Sequence, residues 1–144
     1  MNSFKKPPLV SIVTITFNSE QSISRTLSSV ASQTYRTFEH IIKDGRSTDG
    51  TENIVKKQKS GNTSYVSCSD TGIYDALNKG IKYASGDVIG LLHSDDTYAN
   101  NNVLNDVFLE FNNQNVDAVY GDLIYVKKND TKSTIRYWQS NIYN

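Results

Sequence analysis

The strongest constraint on this chain is the regular alternation of short apolar, β-branched runs with segments whose apolar residues recur at helical spacing. Residues 10–17 (VSIVTITF) read as a buried strand, set off by the breaker Pro7-Pro8. Ile23, Leu27, Val30 and Ala31 then fall on one helical stripe, with Asn18 or Ser19 placed to cap that helix. Residues 38–43 form a second strand, followed by the polar loop DGRSTDGTE, in which Asp49 and Glu52 have capping-box spacing for the next helix. A third strand is expected at 64–68. A helix is expected at 74–84, with Leu77, Ile81 and Ala84 inward and Gly80 costing about 1 kcal/mol relative to alanine. A fourth strand, apolar on both faces, covers 88–92. A helix covers 101–111 through Leu104, Val107, Phe108 and Phe111, and short strands at 118–120 and 123–126 flank Gly121-Asp122.

Strand–helix alternation implies an α/β fold, a mainly parallel sheet with helices on both faces. Ligands of such sheets bind beyond the carboxyl ends of the strands. Phe17-Asn18, Asp44, Asp70 and Asp95-Asp96 all follow strands, so they are expected to converge on one crevice. The 144 residues suit a single domain, 1–144. A formal net charge of zero argues against a nucleic-acid partner, which would need a basic face. Cys68 is the one cysteine, so no internal disulfide is possible and a reducing compartment is favoured; the simplest role for it is a small core residue. The N-terminus lacks the apolar core of a signal peptide, and no apolar run approaches the roughly 20 residues that span a bilayer.

Three motifs carry candidate chemistry. Asp95 and Asp96 sit side by side at a strand end. Their mutual repulsion would be relieved by a hard divalent cation such as Mg²⁺ or Mn²⁺, although one could equally cap the following helix while the other is solvated. Asp44, with Arg46 two residues on, opens a loop at a helix N-terminus; this is either an anion site or an ordinary capped loop. In GIYDALNKG, Asp75 shares a helix face with Asn78 and Lys79, as a surface ion pair or as a polar wall toward a ligand. No glycine-rich dinucleotide fingerprint or phosphate loop is present. His40 lies within a strand and reads as structural, whereas His93, two residues before Asp95, is placed near any metal.

The ordered set VSIVTITFN, FEHIIKDGRSTDGT and SDTGIYDALNKGIKYASGDVIGLLHSDD resembles the family 2 glycosyltransferases of GT-A (Rossmann-like) fold, within them the bacterial enzymes of surface-polysaccharide assembly. The resemblance runs over residues 10–126. It implies an inverting, metal-dependent transfer of a sugar from a UDP-, GDP- or dTDP-linked donor to a glycan or lipid-linked acceptor, in the cytoplasm or at the inner face of the membrane. It places Thr16, Phe17 and Asn18 at the nucleobase, with Phe17 stacking on it. Asp44 is expected at base or ribose, and Tyr74, Asp75 and Asn78 facing the donor. Glu20, Arg46, Asp70 and Ser94 complete the nucleotide-sugar set. Asp95 and Asp96 resemble the DxD-type motif, the catalytic pair that holds Mn²⁺ or Mg²⁺ on the diphosphate.

The sequence departs from the family pattern in three ways. Asp44-Gly45-Arg46-Ser47 stands where many relatives have DDGS, so one carboxylate is missing from base recognition. His93 stands where many have aspartate, which leaves Asp95 and Asp96 as the metal ligands. Relatives place the general base well downstream, and neither Asp122 nor Asp130 matches it. The expectation is a domain truncated before the acceptor and base portion, with an exposed apolar edge near Tyr137 and Trp138 that could support homo-oligomers. The alternative is a catalytically inactive nucleotide-sugar-binding or scaffold fragment. A nucleotidyltransferase is disfavoured because TFNSEQS has no glycine-rich loop.

Overall fold

The structure, a computed structural model, describes residues 6–113, 116–128 and 130–140. Its elements run β1 (Val10–Thr16), α1 (Ile23–Ala31), β2 (Phe38–Asp44), α2 (Thr51–Gln58), β3 (Thr63–Ser67), α3 (Ile73–Ile81), β4 (Val88–Leu91), α4 (Val103–Asn113), β5 (Leu123–Lys127) and β6 (Asp130–Trp138). The first four strands form one parallel sheet of order β3-β2-β1-β4, and β5 and β6 form a separate antiparallel pair.

The continuous apolar runs in β1 and β2 are explained by position: both are central strands, and every β1 residue is buried. On one face of the sheet they build two adjoining groups. Val10 and Ile12 pack with Val30 of α1, Tyr35, Phe38, Leu92 and Leu104 of α4, while Ile42 joins Ile23 and Leu27 of α1 and Val55 of α2. α3 lies on β1 and β2 across the opposite face, where Gly80 meets Val13 and Lys43. Helices therefore cover both faces, and the sheet is the mainly parallel α/β layer expected.

Local details differ from the sequence reading. α1 begins at Ile23, because Ser19 starts a turn whose carbonyl accepts from the Ser22 and Ile23 amides; neither Asn18 nor Ser19 is its N-cap. Asp49 and Glu52 form no capping box: Asp49 Oδ1 accepts from the Thr51 amide, while Glu52 pairs with Lys56. α3 ends at Ile81, three residues early. Residues 118–120 have no strand pairing, since β-propensity makes a strand only where a neighbour supplies the ladder. β6 was invisible because it is exposed along nearly all its length and shows no burial alternation to read. β4 is apolar on both faces as expected, yet Ile89 and Leu91 are 41% and 52% exposed because β4 is the edge strand of the sheet. Tyr137 and Trp138 are also exposed, with Arg136 over the Trp138 ring at 4.8 Å. No described helix is long and apolar enough to cross a membrane.

Candidate functional site

The parallel strands all point their carboxyl ends to one side, so the loops after β1, β2, β3 and β4 meet there. Two cavities open along this edge, of about 440 Å³ and 720 Å³. Thr16, Phe17, Asp70, His93, Ser94 and Asp95 line the smaller one, together with Ile73 and Ala76 of α3. Asn18, Glu20, Ser94 and Asp95 line the larger, whose far wall is the β5–β6 hairpin with Lys127 and Lys128. Ser94 and Asp95 form the partition between them.

The smaller cavity has the character of a site for a flat, polar ligand. The Phe17 ring is 62% exposed, an unusual state for a phenylalanine, and it flanks Gly45. Thr16 is buried beside it with a hydroxyl that has no hydrogen-bond partner among the described residues. Buried polar atoms are rarely left unpaired, so a ligand group is the natural partner. Asp70 contributes a carboxylate whose pKa is held below the usual range, chiefly by its hydrogen bond from the Lys43 ammonium.

The turn after β4 is fixed from behind. Thr26 of α1, fully buried, offers its hydroxyl to the Ser94 carbonyl at 3.0 Å and the Asp96 carbonyl at 2.8 Å. Ser94 Oγ lies 2.8 Å from Ser19 Oγ. The side chains of Asp95 and Asp96 accept no hydrogen bond from the described residues. Burial of its carboxyl, then the neighbouring Asp95 charge, push the Asp96 pKa up, with His93 opposing. Both residues are exposed and open to a divalent cation, Asp95 at the wall of both cavities and Asp96 at neither. Among the described residues no group of three or more histidine, cysteine or carboxylate side chains forms a closed metal cage. A cation here would keep waters or take phosphate oxygens, as Mg²⁺ and Mn²⁺ do.

Other expected residues lie elsewhere. Asp44 is buried, and its carboxylate is occupied by the Ser47 amide and hydroxyl and the Ser67 hydroxyl. Arg46 is exposed, with a left-handed φ of 66°, and lines neither cavity. Asp75 faces back along α3: it accepts from the Thr71 amide at 2.8 Å and pairs with Lys79, which also donates to the Ser69 carbonyl. It therefore holds the β3–α3 loop, and Tyr74 and Asn78 stay outside both cavities. Asp122 and Asp130 are tied into the hairpin, Asp122 by Tyr137 and Ser140, Asp130 by Lys132 and Ser133; both pKa values are lowered by these bonds and neither residue lines a cavity. Sequence reasoning missed Lys43, Ser19, Thr26, Ile73 and Ala76. A lysine in an otherwise apolar strand was the one visible signal among them.

The sequence profile of Glycosyl transferase family 2 matches residues 11–144. This chain belongs to that family. It is 41% identical over 98 residues to a glycosyltransferase of Mycobacterium tuberculosis, covering 67% of this chain and 37% of that one. It is 32% identical over 122 residues to an Escherichia coli UDP-Glc:alpha-D-GlcNAc-diphosphoundecaprenol beta-1,3-glucosyltransferase, covering 84% of this chain and 48% of that one. The crystal structure of S. aureus TarS 1-349 in complex with UDP-GlcNAc superposes with a TM-score of 0.64 at 31% identity, over 68% of this chain and 29% of that one. The chain thus spans less than half the length of each relative. The family and the GT-A architecture agree with the sequence reading.

Proposed function

We propose that this chain is the nucleotide-sugar-binding part, residues 1–144, of an inverting, metal-dependent family 2 glycosyltransferase of surface-polysaccharide assembly. The observation that carries the reading is the pair of adjacent aspartates in the turn after β4, Asp95 and Asp96, both exposed and without a side-chain hydrogen bond among the described residues, with Asp95 lining both cavities. The smaller cavity takes the nucleoside: its base stacks on Phe17, and polar groups of the base or ribose reach Thr16 and Asp70. The larger cavity, beyond Asp95, takes the sugar and the approach of the acceptor, a glycan or a lipid-linked sugar. Family members with a UDP-linked donor, in the E. coli glucosyltransferase and in TarS, support a uridine nucleotide as the first choice. Use of such a donor places the protein on the cytoplasmic side.

Asp95 and Asp96 would hold Mg²⁺ or Mn²⁺, which when bound neutralises charge gathering on the leaving diphosphate. Thr26 and Ser19 keep the two carboxylates in place from the protein side. Inversion needs a base opposite the leaving group, and Asp122 and Asp130, committed to the hairpin, do not supply it. Exposed Tyr137, Trp138, Ile89 and Leu91 also form apolar surface suited to self-association, which light scattering at rising concentration would detect.

The test is isothermal titration of UDP and GDP with and without Mn²⁺, against the wild type and an Asp95→Ala/Asp96→Ala variant. The expected result is binding that needs both the cation and the carboxylates. A folded wild type that binds neither nucleotide would reduce the chain to a silent scaffold on the same fold.

A further inference from the structure

Lys43 is anomalous. It stands on the α3 face of β2, level with Ile15 on β1 and Val66 on β3, and its side chain is fully buried. Its stem runs beneath Gly80: a Cβ on that glycine would lie 3.4 Å from Lys43 Cβ. An ammonium so placed is strongly destabilising unless paired, and its one partner among the described residues is the Asp70 carboxylate, which remains 18% exposed. The other Asp70 oxygen accepts from the Gly72 amide at 3.2 Å. Lys43 thus fixes the carboxylate from below while Gly72 fixes it from the side.

The fixed carboxylate points to an informative place. Asp70 Oδ2 and Phe17 Cδ2 lie 3.0 Å and 3.3 Å from the same point above Gly45. A base stacked on Phe17 would therefore present an edge to Asp70. Asp44, the carboxylate expected to read the base, is buried and fully engaged by Ser47 and Ser67. Asp70 is left as the carboxylate at the rim of this cavity nearest the stacking ring. An ionised carboxylate only accepts hydrogen bonds, so it selects a base edge carrying an N–H, such as the uracil imide or guanine N1–H.

We propose that Lys43 is a positioning residue for nucleobase selection: it holds Asp70 at the edge of Phe17 as the acceptor for a ring N–H of the donor's base. The inference rests on the nucleotide-binding reading above and extends it to a residue that touches no ligand. Gly45 and Gly80 belong to the same device. The first leaves Asp70 open to the cavity, and the second lets α3 close over the Lys43 stem.

The experiment titrates UDP and GDP, each beside its N-methylated counterpart (N3-methyl-UDP, N1-methyl-GDP), into the wild type, Lys43→Met and Lys43→Met/Asp70→Asn, with Mn²⁺ present. In the wild type, methylation of the ring nitrogen should weaken binding about tenfold, the scale of one charge-assisted hydrogen bond. In Lys43→Met the unmethylated nucleotide should weaken by a similar factor and the methylated one hardly at all, so that discrimination disappears. A merely structural lysine would weaken both alike, and that result overturns the proposal. The double variant removes both charges together and leaves no unpaired buried ion, so it reports on the pair if Lys43→Met does not fold; because a neutral asparagine oxygen is a weaker acceptor than the carboxylate, discrimination undiminished from the wild type there also overturns it. Equal wild-type affinity for UDP and N3-methyl-UDP, and for the guanine pair, overturns this inference alone. No wild-type binding of any nucleotide overturns the functional reading and this one with it.

Discussion

Gly80 of α3 sits so close to Val13 of β1 that a Cβ on the glycine would stand 2.6 Å from Val13 Cγ1. Real atoms do not approach that closely, and the branched Val13 side chain is fully buried. Gly80→Ala should gain about 1 kcal/mol of helix propensity and lose more to overpacking, about 1–3 kcal/mol. The expected net result is a lower melting temperature together with weaker nucleotide binding, because α3 carries Ile73 and Ala76 at the cavity wall. Calorimetry and titration on one preparation check both. An unchanged melting point would show that α3 is not seated as tightly as described.

Thr26→Val tests the support behind the two aspartates. Valine keeps the shape and removes the hydroxyl that serves the carbonyls of Ser94 and Asp96. Leaving buried acceptors unpaired costs about 1–3 kcal/mol. Stability in urea should fall by that order, and Mn²⁺-dependent nucleotide affinity should fall with it although Asp95 and Asp96 are intact. A variant that loses stability but binds normally would make Thr26 a core residue and nothing more.

How much of this could be read in the sequence depended on burial. β1 and β2 were legible because their continuous apolar runs are the signature of central parallel strands, and the α1 stripe because Ile23, Leu27 and Val30 face one core. β6 was not legible, since a hairpin exposed on both faces imposes no pattern on its residues. At the site, the strand ends predicted that Phe17-Asn18, Asp44, Asp70 and Asp95-Asp96 would converge: Phe17, Asp70 and Asp95 share one cavity, Asn18 lines the other with Asp95, and Asp44 and Asp96 line neither. Direction was beyond the sequence: nothing in the letters says that Asp44 turns inward to Ser47 and Ser67, or that Asp75 turns back to Thr71. Gly80 looked like a flaw in a helix and is the contact that seats it.

Arg46 occupies a left-handed conformation, φ 66°, that residues with a Cβ adopt at a cost of about 1 kcal/mol or more. Its side chain is exposed and lines neither cavity, so little is lost by removing it. Arg46→Gly should raise the urea midpoint by the equivalent of about 0.5–1 kcal/mol, the strain relieved less the extra flexibility of the unfolded chain. Nucleotide affinity should hold. A drop in affinity with improved stability would instead assign the guanidinium to the donor's phosphates, as an arginine near a helix N-terminus permits.

His40 makes the acid sensitivity of the fold specific. It is buried on β2, with Nε2 2.9 Å from Thr14 Oγ1, and burial pushes its pKa down from 6.5 to about 4. Below pH 6.5 the unfolded chain takes up a proton here that the folded chain refuses, so stability falls as pH falls from 6.5 towards 4 and levels off once both states are protonated. The shift corresponds to roughly 3 kcal/mol across that window. Asp70 and Asp75 act in a different range: their carboxyls are held low in the fold by Lys43 and Lys79, so their contribution is present above the ordinary carboxylate pKa and is lost only as pH drops through the lowered values. His40→Gln keeps a group able to bond Thr14 and cannot be protonated. Its urea-unfolding free energy should be nearly flat between pH 6.5 and 4, while the wild type declines. Parallel decline in the two proteins would show that some other group, not His40, sets the acid limb.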